Sequence, residues 1–170
     1  MVSLVDPIFM DHGLRIVVWN VCGLNARAWR FAACSLLDTT VASIVCLQET
    51  KMELLCSSVV LDTLGSKFDD YTYLPANGTR DGILLARKSR VVSITNPLFT
   101  TNALTATVTM PTGTPWWLSV VYGPQDDADK IAFLLELREI RAACLGHGCF
   151  AVTSTSSCVL LTRATPTLTG

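Results

Sequence analysis

The sequence predicts a single mixed α/β domain, and three observations carry that expectation. A strand–helix–strand–helix alternation opens the chain, a series of short β-rich segments fills its middle, and one amphipathic helix follows. Half of the 170 residues are apolar and 16% are charged, a balance suited to burying a core and foreign to disordered, collagen-like or coiled-coil chains.

Leu14 to Asn20 is a compact β-branched segment that runs into Cys22-Gly23-Leu24, the pattern of a buried strand ending in a loop. Ala26 to Leu37, rich in Ala, Arg and Leu without Pro or Gly, predicts a helix closed by Thr39-Thr40. A second strand is expected over Ser43 to Gln48, ending in the polar cluster Gln48-Glu49-Thr50-Lys51, and a second helix over Glu53 to Leu64, stopped by Gly65. Five β segments follow: Tyr71 to Leu74, Gly82 to Ala86, Val91 to Ile94, Leu104 to Met110 and Trp116 to Tyr122. Turn signals at Asn77-Gly78, Asn96-Pro97 and Pro111-Thr112-Gly113 separate them, so this middle section is expected to be antiparallel sheet. Gly123-Pro124 stops the last strand, and Asp127 to Ala143 predicts an amphipathic helix with an acidic start. From Thr153 on, Thr, Ser and Cys dominate without periodicity. The expected organisation is an N-terminal extension over residues 1–13, the domain proper over 14–144, and a Thr/Ser-rich tail over 145–170.

Thirteen basic and fourteen acidic residues give a formal charge of -1, so bulk electrostatics advertise no polyanionic partner and any nucleic-acid binding must come from a site. Apolar segments such as Ile16 to Trp19 and Ile44 to Leu47 are too short to cross a bilayer, so no membrane association is expected. Asp6 and Asp11, with no basic segment leading into an apolar stretch, speak against a secretory signal. The expectation is an intracellular protein, with nucleus and cytoplasm not distinguished. Seven cysteines (Cys22, Cys34, Cys46, Cys56, Cys144, Cys149, Cys158) form no C-x-x-C pair, and His12 and His147 are not spaced with them as zinc ligands. They are expected to be ordinary thiols, with Cys46 acting as a small buried hydrophobe.

In α/β proteins, reactive groups gather just past the carboxyl ends of strands. Asn20 ends the first predicted strand, Gln48-Glu49 the second and Tyr122 the fifth of the later segments. One carboxylate, one amide and one phenol suit Mg²⁺ and phosphate better than zinc or thiol chemistry. Singly, each also has a plain structural role: a turn residue, a carboxylate facing a helix dipole, a core phenol with a wet tip.

Taken with their neighbours, Trp19-Asn20-Val21-x-Gly23-Leu24, Cys46-Leu47-Gln48-Glu49-Thr50-Lys51 and Val120-Val121-Tyr122-Gly123-Pro124 resemble, in order and spacing, motifs of the endonuclease/exonuclease/phosphatase superfamily. The match is most similar to the apurinic-endonuclease-like domain of plant LINE-type non-LTR retrotransposons. Gly78-Thr79-Arg80-Asp81-Gly82-Ile83-Leu84-Leu85-Ala86 and Trp116-Trp117-Leu118-Ser119-Val120-Val121-Tyr122 resemble two further stretches of those domains. The resemblance implies a four-layered α/β/β/α sandwich of the DNase I-like type, here lacking its C-terminal strands. It also implies Mg²⁺ or Mn²⁺ as cofactor, DNA as partner and phosphodiester hydrolysis as the reaction. By it, Glu49, Asn20 and Tyr122 are the catalytic residues: Glu49 matches the metal-binding carboxylate, Asn20 the Asn that shares the metal site, Tyr122 the tyrosine that approaches the scissile phosphate, and Lys51 a possible phosphate contact.

Asp81 and Arg87 depart from the retroelement pattern, which usually has Gly and an aromatic residue there. The larger departure is that the Gly-Asp-Phe-Asn motif, a later Asp and an Asp-His pair are absent. The genetic code suggests why. Starting the frame one base earlier turns each Thr into Asn, Asp, His or Tyr, and each TC-class Ser into Phe, Leu, Ile or Val. Leu145 to Ser157 can then be read as Pro-Gly-Pro-Trp-Leu-Leu-x-Gly-Asp-Phe-Asn-Leu-Ile, with Thr153 over the Asp and Thr155 over the Asn. The same frame turns Thr162 to Gly170 into Asp-Lys-Ser-Asn-Ala-Asn-Leu-Asn-Arg. The expectation is a frame-shifted, inactive endonuclease remnant, with binding of the metal weak or lost. The alternatives are an active phosphoesterase of the same superfamily and a non-enzymatic α/β interaction module.

Overall fold

The computed structural model describes residues 2–5, 14–78, 81–124, 126–144 and 148–153, the first and last of these segments by their backbone pairing alone. Two sheets stack face to face. The first is built from β1 (Val2–Val5), β2 (Ile16–Asn20), β3 (Ile44–Gln48), β4 (Asp70–Leu74) and β5 (Ile83–Arg87), in the order β1-β2-β3-β5-β4. The second holds β6 (Ser93–Phe99), β7 (Ala103–Thr109), β8 (Trp116–Tyr122) and β9 (Gly148–Thr153), in that order. Helices α1 (Arg27–Asp38) and α2 (Ser57–Leu64) cover the first sheet, and α3 (Asp127–Ala143) lies on the second.

Apolar periodicity accounts for the layers. β3 and most of β5 are buried on both faces, as expected of central strands that read as continuous apolar segments. Ile16, Val18, Ile44, Cys46, Ile83 and Leu85 face Leu104, Ala106, Val108, Leu118, Val120 and Tyr122 across the inter-sheet layer. Their alternates Val17, Val45, Leu47 and Leu84 pack under Leu37, Val59, Val60 and Leu64. Each fully buried aliphatic side chain contributes about 1.5–3 kcal/mol.

The chain's own punctuation sets most boundaries. The Thr39 and Thr40 hydroxyls donate to the Leu36 and Leu37 carbonyls and close α1. Gly65, at φ +69°, terminates α2. Asp126 caps α3 by accepting from the Ala128 N–H at 3.1 Å, with Asp127 and Asp129 in its first turn. Arg87 donates to Asp70 on the neighbouring strand and, at 2.6 Å, to the Val92 carbonyl.

The structure departs from the sequence expectations at five places. The middle β segments pair antiparallel as expected, but they are divided between the sheets: β4 and β5 join the first, and β6 to β8 build the second. Asn96-Pro97 is not a turn between strands. It lies inside β6, which runs on to Phe99, with Asn96 at φ +51° and a register break between Thr95 and Leu98. Pro cannot donate to a ladder, and an edge strand with a bulge is where a sheet tolerates it. The second helix starts at Ser57 rather than Glu53; the stretch before it stays extended, with the Met52 carbonyl accepting from the Ala76 N–H at 2.9 Å and Leu55 buried. Val2–Val5, where the sequence predicts no element, pairs antiparallel with β2. Gly148–Thr153, for which the sequence predicts no strand, pairs parallel with β8. Thr155, Thr162 to Gly170, Thr79-Arg80, His12, His147 and Cys158 lie outside the described residues, as does the side chain of Cys149. The other five cysteines are free thiols, Cys46 fully buried among them. Among the described residues, no helix is long and apolar enough to cross a membrane.

Gly82 is the tightest point of the first sheet. It has φ +80°, and a Cβ there would stand 2.5 Å from Thr50 Oγ1 and 3.0 Å from the Ala76 nitrogen. Because both the backbone conformation and the space require glycine, Gly82→Ala is expected to destabilise the fold by about 2–4 kcal/mol, read as a lower urea midpoint with an unchanged m-value.

Candidate active site

β2 and β3 run parallel, with Asn20 opposite Gln48 in the register. Parallel pairing brings both carboxyl ends to one edge of the sheet, so the loops 21–25 and 49–52 leave side by side. Their backbones are laced together: Val21 N–H donates to the Gln48 carbonyl at 3.0 Å and Leu24 N–H to the Thr50 carbonyl at 2.9 Å.

Asn20 and Glu49 meet there. Asn20 Nδ2 donates to Glu49 Oε1 at 2.5 Å, and Asn20 Oδ1 accepts from the Cys22 N–H at 3.0 Å. The Asn therefore does both things its position allowed: it closes its own turn and orients the carboxylate. Glu49 is only 6% exposed. Cys22, Glu49 and Lys51 all have φ between +52° and +54°, a left-handed conformation that non-glycine residues avoid. Three such residues around one carboxylate mark a place where packing holds the backbone against its own preference, as functional sites commonly do.

Lys51 is pinned by its backbone. Its N–H donates to the Asp81 carbonyl at 2.7 Å and its carbonyl accepts from Asn25 Nδ2 at 3.2 Å. Its stem passes over Gly23, where a Cβ would lie 3.6 Å from Lys51 Cδ, and the residue is exposed. Asp81 thus serves the site through its main chain.

Tyr122 comes from the other sheet. It ends β8, is 7% exposed and packs in the inter-sheet layer with Cys46 and Ile83. The two halves are joined by Gln48, a fully buried amide whose Nε2 donates to the Val121 carbonyl at 2.7 Å. Gln48 immediately precedes Glu49, and Val121 immediately precedes Tyr122. A buried hydrogen bond thus links the strand that leads into the carboxylate loop with the strand that ends in the tyrosine, alongside the apolar packing between the sheets. The sequence marks Gln48 as a strand-end polar residue without giving it a role; its signal is an amide at the end of an otherwise apolar strand.

The donor chemistry fits a hard divalent cation. Such ions take one or two protein carboxylates and complete their shell with water and phosphate oxygens, and Glu49 with Asn20 beside it matches that use. Among the described residues, no group of three or more His, Cys, Asp or Glu that could hold a metal ion is gathered, so Glu49 is the one carboxylate this edge offers such a cation.

No protein-family profile matches the chain, and no curated protein matches it. Solved structures do. Humanized D. rerio TDP2 superposes with a TM-score of 0.59 at 21% identity, over 82% of this chain and 61% of that one. D. rerio TDP2 in complex with a single-strand DNA product gives 0.57 at 20%, over 82% and 59%. The AP endonuclease LMAP from Leishmania major gives 0.55 at 18%, over 82% and 54%. The chain thus spans less than two thirds of the length of each. At these identities the likeness establishes the fold: an α/β sandwich of the DNase I-like type, as the resemblance to the endonuclease/exonuclease/phosphatase superfamily implied.

Gln48→Leu keeps the volume and leaves the Val121 carbonyl without that donor. A loss of about 1–3 kcal/mol is expected, measured as a drop in thermal midpoint; a variant as stable as the parent would show that the bond does not tie the sheets together.

Proposed function

We propose that the chain is the remnant of a Mg²⁺-dependent, phosphodiester-cleaving DNA endonuclease of a plant LINE-type retroelement, catalytically inactive as it stands. The observation that carries the reading is the Asn20–Glu49 pair, held on left-handed backbone at the sandwich edge where Tyr122 also ends its strand. In this reading Glu49 would hold the metal, Asn20 orients the Glu49 carboxylate, Tyr122 approaches the scissile phosphate, and exposed Lys51 meets a neighbouring phosphate. A bound Mg²⁺ would stabilise the charge that develops on the phosphate. DNA as substrate is supported by the fold shared with the AP endonuclease and with TDP2 bound to its single-strand DNA product.

Inactivity rests on the chain beyond α3. β9 runs parallel to β8 with Thr153 in register with Tyr122, and Thr153 is the residue that can be read as Asp in the neighbouring frame. A strand that carries Thr where the family carries Asp supports a net loss of one base, or gain of two, near Cys144. A threonine hydroxyl supplies neither the charge nor the proton acceptor of a carboxylate. General acid and base groups are each worth ~10²–10⁴-fold, and members of one catalytic unit fail together.

The test is nicking of supercoiled plasmid, with and without Mg²⁺, by the 170-residue chain and by a version whose frame past Cys144 is restored and extended through the remaining domain. Only the restored protein should nick, and Glu49→Ala within it should lower the rate by at least ~10²-fold. Glu49-dependent nicking by the 170-residue chain itself would overturn the inactivity and favour the active phosphoesterase.

A further inference from the structure

The peptide unit between Val121 and Tyr122 is held at both of its polar ends. Its carbonyl accepts from Gln48 Nε2 at 2.7 Å, and its N–H donates to the Asn102 carbonyl at 2.9 Å. Asn102 belongs to the turn between β6 and β7, a turn that in a hairpin is ordinarily satisfied by its own backbone and water. Here α3 reaches down to it. Glu136 Oε1 accepts from the Asn102 backbone N–H at 2.7 Å, and Oε2 accepts from Asn102 Nδ2 at 2.8 Å. Both oxygens of one carboxylate therefore grip both donors of one residue, in charge-assisted bonds stronger than neutral ones.

The apolar packing of α3 meets the same region through a narrow stripe. Ile140 is its one buried residue, with Phe133, Leu137 and Cys144 partly buried against Ala103 and Val121, while Ile131, Leu134 and Leu135 are more than half exposed. The Glu136 grip adds a polar anchor between α3 and the turn, whose Asn102 carbonyl accepts from Tyr122 at the end of the β7–β8 ladder.

We propose that Glu136 is a positioning residue for Tyr122, acting through Asn102 and the 121–122 peptide. The proposal rests on the reading of Tyr122 as the group that approaches a DNA phosphate, and it adds a residue on a different element, 34 positions from its partner.

The experiment is ¹⁹F NMR on the full chain labelled with 3-fluorotyrosine, together with amide hydrogen exchange. Tyr71, Tyr73 and Tyr122 give three signals, assigned by Tyr→Phe changes. Glu136→Ala should shift the Tyr122 signal while leaving Tyr71 and Tyr73 in place, and should speed exchange of the Tyr122 amide at least tenfold. Glu136→Gln, which keeps one acceptor for the Asn102 N–H, should restore part of the shift. A merely structural helix contact would leave the Tyr122 ring unmoved. An unchanged Tyr122 signal in a folded Glu136→Ala protein, or equal shifts at all three tyrosines, overturns the proposal; if that variant does not fold, the same outcomes in Glu136→Gln decide it. A short DNA duplex titrated with Mg²⁺ into the unmutated chain reports separately on the phosphate role. If Tyr122 responds to Glu136→Ala and not to the duplex, the link to Glu136 stands and the phosphate role falls.

Discussion

The parallel, in-register pairing of β2 with β3 is the constraint on which the site depends. It places Asn20 opposite Gln48 and lets both strands end at one edge, so that the residue after Gln48 turns its carboxylate onto the Asn20 amide. A one-residue slip would exchange the two faces of β3. Val45 and Leu47 would leave the helices, Cys46 would leave the inter-sheet layer, and Glu49 would no longer meet Asn20. Register is thus enforced by burial on both faces of the strand, and the geometry of the site follows from the packing of the core.

The second sheet is tied to this edge by polar contacts made inside apolar surroundings. Gln48 is fully buried and makes its bond across the layer to the Val121 carbonyl. Buried amides are stabilising when paired and costly when orphaned, so the bond favours one relative placement of the sheets more sharply than interdigitating Leu and Val side chains do. The Glu136 to Asn102 grip acts on the same peptide from the opposite side. Between them, the tyrosine strand is fixed relative to the carboxylate loop and relative to α3.

Local strain is concentrated where the chemistry would be. The left-handed residues Cys22, Glu49 and Lys51 flank the two strand ends, and Gly82 closes over Thr50 with no room for a Cβ. By contrast, the outer face of α3 is loosely committed: Ile131, Leu134 and Leu135 give it a second apolar stripe facing solvent. Within this one domain, the sandwich edge is over-determined and the outer helix is not.

Much of this was legible in the sequence because it is written at short range. Apolar alternation and β-branched segments located β2, β3, β5, β7 and β8, and an acidic start with a Gly-Pro stop before it placed α3 at Asp127–Ala143. Asn20, Glu49 and Tyr122 stood out as polar residues at strand ends. The tertiary structure decided what depends on distant pairings. It assigned β4 and β5 to a different sheet from β6 to β8, because a strand's pattern of buried faces does not say which partner buries them. It absorbed Asn96-Pro97 into an edge strand, because the edge removes the penalty for a missing donor. It joined Gln48 to Val121 across 73 positions and Glu136 to Asn102 across 34. Such bonds leave no periodic trace, since a single donor and acceptor carry no repeat, and they exist only once the layers have stacked.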